Sequence, residues 1–107
     1  MAQRIFVLST LLPGVEPADY EEWMRTVDVP VTRQIQSIQN HAVTRLTGPL
    51  LDDGPIPYHY VEIIDVSDVD QYRKEISDHP EASVVMAEFS RFVGSSAIVY
   101  GDVLDIG

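Results

Sequence analysis

Tyr58-His-Tyr-Val-Glu-Ile-Ile-Asp-Val66 is the stretch on which the fold turns. It is dense in β-branched and aromatic residues, the composition of a strand held between other layers. Alternation puts Val61 and Ile63 on one side and Tyr58, Tyr60 and Ile64 on the other. Neither side therefore reads as solvated, whereas an antiparallel sheet with one wet face would alternate apolar with polar residues. Both faces of the sheet need cover.

Working outward, Gly48 to Pro57 holds two glycines, three prolines and two aspartates and reads as a loop. Before it, Ala42 to Thr47 is a weaker strand. Arg4 to Thr10 is a buried strand built on Ile5, Phe6, Val7 and Leu8, closed by Leu11-Leu12-Pro13-Gly14. A helix follows, with Pro17 near its start and Asp19, Glu21 and Glu22 in its opening turns, where negative charge suits the macrodipole. Tyr20, Trp23, Met24 and Val27 share one helical face. Pro30 is expected to break or kink this helix at about Val29, leaving Asp28 to cap a second piece carrying Val31, Ile35 and Ile38.

After the strong strand, Ser67 and Asp70 form a capping-box-like opening for a helix whose apolar face is Val69, Tyr72 and Ile76. Ser77-Asp-His-Pro80 interrupts it. A further helix carries Val84, Val85, Phe89 and Phe92, with Gly94 at the expected C′ position. Ala97 to Leu104 is the last strand. The order is β-α-β-β-α-β, so residues 1–107 read as one ferredoxin-like α+β domain with helices on one sheet face. A second copy of the chain is the simplest cover for the other face, which predicts a homodimer with antiparallel sheets packed face to face.

Seven basic residues stand against 17 acidic ones, a formal net charge of −10. So acidic a surface repels nucleic acid and anionic lipid, and neither is an expected partner. The apolar runs are far shorter than a membrane span, and Met1 to Thr10 lacks a signal-peptide pattern; a cytoplasmic protein is expected. Cysteine is absent, which removes disulfides, thiol nucleophiles and cysteine zinc sites. His41, His59 and His79 show no metal-ligand spacing, and no GxSxG, GxGxxG or Walker pattern occurs; no metal and no cofactor are expected.

General acid–base chemistry remains. His59, between Tyr58 and Tyr60, is either a proton-transfer group or a satisfied core or interface histidine. Glu62 is a carboxylate in a run built for burial, so it is either a proton shuttle or the partner of Arg4 or Arg45 on a neighbouring strand. Asp28 is either a plain N-cap or an acid–base group exposed at the helix break. Tyr20, Trp23, Phe89 and Phe92 either build core or, with Met24 and Met86, line a cleft for a flat apolar ligand. Arg25, Arg33 and Arg91 are surface charges unless one points inward to bind a carbonyl or carboxylate.

Four segments, Tyr20-Glu-Glu-Trp23, Arg25-Thr-Val-Asp-Val-Pro-Val-Thr-Arg33, Pro57-Tyr-His-Tyr-Val-Glu-Ile-Ile64 and Ala87-Glu-Phe-Ser-Arg-Phe-Val-Gly94, occur in an order that resembles the RedY-like, HapK-type family of prodigiosin biosynthesis. The resemblance implies a dimeric α+β barrel acting without metal or cofactor in the bipyrrole branch of pigment assembly. The implied ligand is a small pyrrole-type aromatic intermediate, and other pathway enzymes are implied as partners. It places Tyr20, Trp23, Tyr60, Phe89 and Phe92 around the ring system with Arg33 nearby, and gives proton transfer in a condensation or cyclisation to His59, Asp28 or Glu62. The rival readings are a non-catalytic carrier or scaffold for the intermediate and a cofactor-free monooxygenase.

Overall fold

The computed structural model describes residues 2–107. Among them the elements follow as β1 (Gln3–Leu11), α1 (Pro17–Trp23), a π-helical turn (Met24–Asp28), α2 (Val29–Thr32), β2 (Ile38–Arg45), β3 (Tyr60–Val66), α3 (Val69–Asp78), α4 (Ala82–Phe92) and β4 (Val93–Asp102). The strands form an antiparallel sheet in the order β2-β3-β1-β4. This is the ferredoxin-like α+β arrangement that the element order predicts. No helix among the described residues is long and apolar enough to cross a membrane.

Strand register decides which side chains face the helices. Ile5 pairs with Ile64 and Tyr100, and Val7 pairs with Glu62 and Ile98. These residues share the helix-covered face, and every second residue of β1 and β3 is buried there. Phe6, Leu8, Val61, Ile63 and Ala97 occupy the opposite face. Under the helices the core has two parts. Leu11, Tyr20, Trp23 and Tyr60 pack beneath α1 and α4, while Ile5, Val7, Ile64, Val66 and Val69 pack beneath α3. Phe89 touches both parts. Each large apolar side chain so buried stabilises the fold by about 1.5–3 kcal/mol relative to exposure.

Several local expectations are corrected. Pro30 does not break the helix. A π turn lies immediately before it, where the Val29 N–H reaches the Met24 carbonyl, and the Arg33 N–H returns to the Val29 carbonyl at 2.9 Å. The wider turn accommodates the donor that proline lacks, so the chain stays helical from Pro17 to Thr32. Asp28 is consequently helical itself (φ −65°, ψ −53°), and its side chain caps nothing.

The N-cap of α3 is Asp68, whose carboxylate accepts the Gln71 N–H at 2.9 Å, and not Ser67. Gly94 does not close α4 in a left-handed conformation. Val93 is already extended (φ −109°, ψ 123°), and β4 begins there without a loop. Gly94 is instead a close-approach position, since a Cβ there would lie 2.9 Å from Leu12 Cδ2. The left-handed glycine is Gly14 (φ 86°), in a Leu12-Pro13-Gly14-Val15 turn closed by the Val15 N–H to the Leu12 carbonyl at 3.1 Å. β2 starts at Ile38, ahead of the expected Ala42, which brings His41 into the sheet.

Candidate functional site

The π turn determines where Asp28 points. In a regular α-helix Val27, seven residues after Tyr20, would return to the inward face, and Asp28 would lie about 100° further round. One extra residue per turn shifts that phase, so Asp28 takes the inward position. Opposite it, alternation along β3 aims Glu62 at the helices. On β2, His41 pairs with Ile64 and Val43 with Glu62, so His41 and Glu62 are diagonal neighbours on that same face.

Asp28 and Glu62 meet at one end of a cavity of about 360 Å³ between sheet and helices, with His41 bound to Glu62 but outside the lining. Ile5, Val7 and Ile64 form its floor beside Glu62. Val69, Tyr72 and Ile76 of α3 and Val85 and Phe89 of α4 form the roof. Asp28 and Thr32 close the inner end, while Met86, Ile98, Tyr100 and Arg73 stand towards solvent at the β4 edge. The lining is mainly apolar with a few convergent polar groups, as in small-molecule sites.

His41 Nε2 and Glu62 Oε1 are 2.8 Å apart, with both side chains 8% exposed. Burial, and then the Glu62 charge, push the Asp28 carboxyl up to about 7. A hydrogen bond shared with Glu62 adds to this, while His41 and the Thr32 hydroxyl oppose it. Asp28 therefore keeps its proton well above the usual carboxylate range, because a second charge beside Glu62 is costly to hold out of water. Burial beside the same acids also raises the Tyr72 phenol. The Tyr20 hydroxyl, fully buried and raised chiefly by burial and then by Glu62, has no hydrogen-bond partner among the described residues that meets the usual geometry. Ser9 acts in the opposite direction on it.

The other residues singled out from the sequence lie elsewhere. His59 is exposed just before β3, and its Nδ1 accepts the Leu11 N–H at 3.2 Å beside the β1–β4 register shift. It tidies the strand end and does not face the cavity. Glu62 pairs with neither expected arginine: Arg4 binds Asp65 at 2.6 Å, and Arg45 binds Glu21.

Tyr20, Trp23, Tyr60 and Phe92 pack on one another, with Tyr20–Tyr60 edge-on at 5.0 Å and Trp23–Phe92 at 5.3 Å. Trp23 Nε1 donates to Glu88 at 2.7 Å, and Tyr60 donates to Glu21 at 2.6 Å; burial, and then that bond, push the Tyr60 phenol up to about 12. These four rings are core, and of the expected aromatics Phe89 alone lines the cavity. Arg33 is exposed on a separate concavity with Arg25, Arg45 and Glu21.

Sequence reasoning missed His41 and Tyr72 as site residues. The signal for His41 was the alternation His41, Val43, Arg45, which an antiparallel pairing would have set beside Glu62. Among the described residues no three His, Asp or Glu side chains converge in metal-binding geometry.

Fold and site together define a small ferredoxin-like α+β protein with an apolar cavity ending in a buried acid–base cluster. The chain belongs to the family described as REDY-like protein HapK, whose profile matches residues 3–104. Among solved structures it is similar to HapK from Hahella chejuensis, at 23% identity and a TM-score of 0.78, over 98% of this chain and 95% of that one. It is similar also to a dimeric ferredoxin-like protein of unknown function from Thermobifida fusca, at 21% identity and TM-score 0.75, over 96% and 92%. A mutant of SnoaB from Streptomyces nogalater, a cofactor-independent oxygenase, matches at 12% identity and TM-score 0.73, over 98% and 94%. No curated protein sequence matches significantly.

Proposed function

We propose that this protein handles a pyrrole-type aromatic intermediate of prodigiosin-like pigment biosynthesis in the cytoplasm, and assists its condensation or cyclisation by cofactor-free acid–base chemistry. The observation that carries the reading is the pairing of Asp28 with the Glu62–His41 couple at the closed end of an apolar cavity. A group titrating near neutrality is well matched to giving and taking a proton at physiological pH. Asp28 delivers the proton to the ring system, Glu62 with His41 accepts the one released, and Phe89 and Tyr72 hold the ring plane. Exclusion of water by the aliphatic walls strengthens each of these contacts. Family membership supports the pathway assignment.

The protein acts as a homodimer in this reading, because the sheet face away from the helices is apolar and one structural relative is described as dimeric. The test is turnover in a reconstituted bipyrrole-forming reaction. Folded Asp28→Asn and Glu62→Gln variants are expected to keep ring binding and lose about 100-fold or more in rate. Unchanged rates in both reject the acid–base role. Tight binding by the wild type with no chemical change in the ligand identifies a carrier instead, and oxygen uptake on mixing identifies an oxygenase.

A further inference from the structure

The charges on the cavity wall are unevenly placed. Asp28 and Glu62 occupy the closed end. Arg73 is the one cation among the lining residues, and it belongs to the rim: its side chain is 58% exposed, its Nη1 donates to Asp70 at 2.9 Å, and its guanidinium lies 5.1 Å from the centre of the Tyr100 ring. His41 is the basic group nearest the acids, but it is not among the lining residues and its Nε2 is taken by Glu62.

We infer that this cavity admits uncharged or cationic nitrogen-bearing aromatic rings and turns away their carboxylates. A ring N–H or an ammonium group finds acceptor oxygens on Asp28 and Glu62 while its carbon skeleton covers Ile5, Val7, Ile64 and Phe89. A ligand carboxylate at the same depth faces two acids, and it must shed its water without gaining a cation. The orphaned Tyr20 hydroxyl is not part of the cavity lining and does not offset this. The inference rests on the cavity being the ligand site of the proposed function, and it adds a place in a reaction order. A precursor carrying an aromatic carboxylate must first pass through a decarboxylation, a reduction or an esterification before it can enter.

Three probes of one shape test this by calorimetry: indole-2-methanol, 2-(aminomethyl)indole and indole-2-carboxylate. The alcohol and the amine are expected to bind, and the acid to bind at least about tenfold more weakly than the alcohol. In an Asp28→Asn/Glu62→Gln double variant the gap between acid and alcohol is expected to close to within about threefold, because the repelling groups are gone. Equal affinity of acid and alcohol for the wild type overturns the inference and leaves the cavity reading intact. Strong acid binding that disappears in Arg73→Gln also overturns it, by placing the carboxylate at the rim. Failure of all three probes to bind overturns the cavity reading and the inference with it.

Discussion

Burial of Asp28 and the nearby Glu62 charge act in the same direction on one proton, and the consequence reaches beyond chemistry to folding. A carboxyl raised from 3.8 to about 7 holds its proton more tightly folded than unfolded. Its contribution is therefore fully present below the unfolded value and is lost as pH rises through the folded one. The wild type should thus lose stability relative to Asp28→Asn between about pH 4 and pH 8. The shift sets an upper bound of about 4 kcal/mol, and relaxation around a partly buried group brings the expected change to about 1–3 kcal/mol. Paired urea melts across that range check it. A stability difference that stays flat with pH would mean that the acid is not held protonated in the fold.

Helix phase is where the sequence was hardest to read. Strand alternation in β1 and β3 is visible in the residues themselves, because both strands bury every second side chain. Glu62 stood out for the same reason, as the one carboxylate on a buried register. Asp28 is legible as an N-cap or an acid–base group at a helix break, but not as an inward-facing residue, since a period of 3.6 residues assigns the inward place to Val27. The π turn before Pro30 overrides that period, and its cause is backbone hydrogen bonding and not side-chain pattern. The start of β3 is hidden for a related reason. Tyr58 and His59 have strand composition, yet β3 begins only at Tyr60 and leaves His59 exposed at its end.

The phase argument makes its own prediction. Deleting Thr26 in a Pro30→Ala background should give an unbroken α-helix with Asp28 still inward, and hence near-normal ligand binding. Inserting one alanine after Thr26 in the natural sequence should turn Asp28 by about 100° and weaken binding about tenfold or more. If the insertion is harmless and the deletion harmful, the turn does not set the direction of Asp28.

The molecule as a whole is thin, with principal extents of 38 × 38 × 18 Å. That thickness is one sheet and one helical layer, so the second sheet face lies bare. Phe6 and Leu8 of β1 and Val61 and Ile63 of β3 form its centre, and Val99 at 51% exposure continues it on β4. A face of these dimensions exceeds the roughly 800 Å² per partner of an ordinary stable interface. The surface charge of −10 works against random association, so a specific apolar contact must overcome it at the centre of the face. Sheet-on-sheet pairing does so on the face away from the helices and meets the cavity lining at Val99 on the β4 edge alone. The expected solution state is a dimer that Ile63→Glu splits, because a buried pair of like charges at its centre would cost several kcal/mol. Sedimentation should show the variant as a folded single chain at concentrations where the wild type is paired. Because the Asp28–Glu62–His41 cluster lies within one chain, the separated subunit should still bind the neutral indole probe. A wild type that sediments as a monomer at micromolar concentration rejects the pairing, and a folded Ile63→Glu monomer that no longer binds shows that the cavity depends on it.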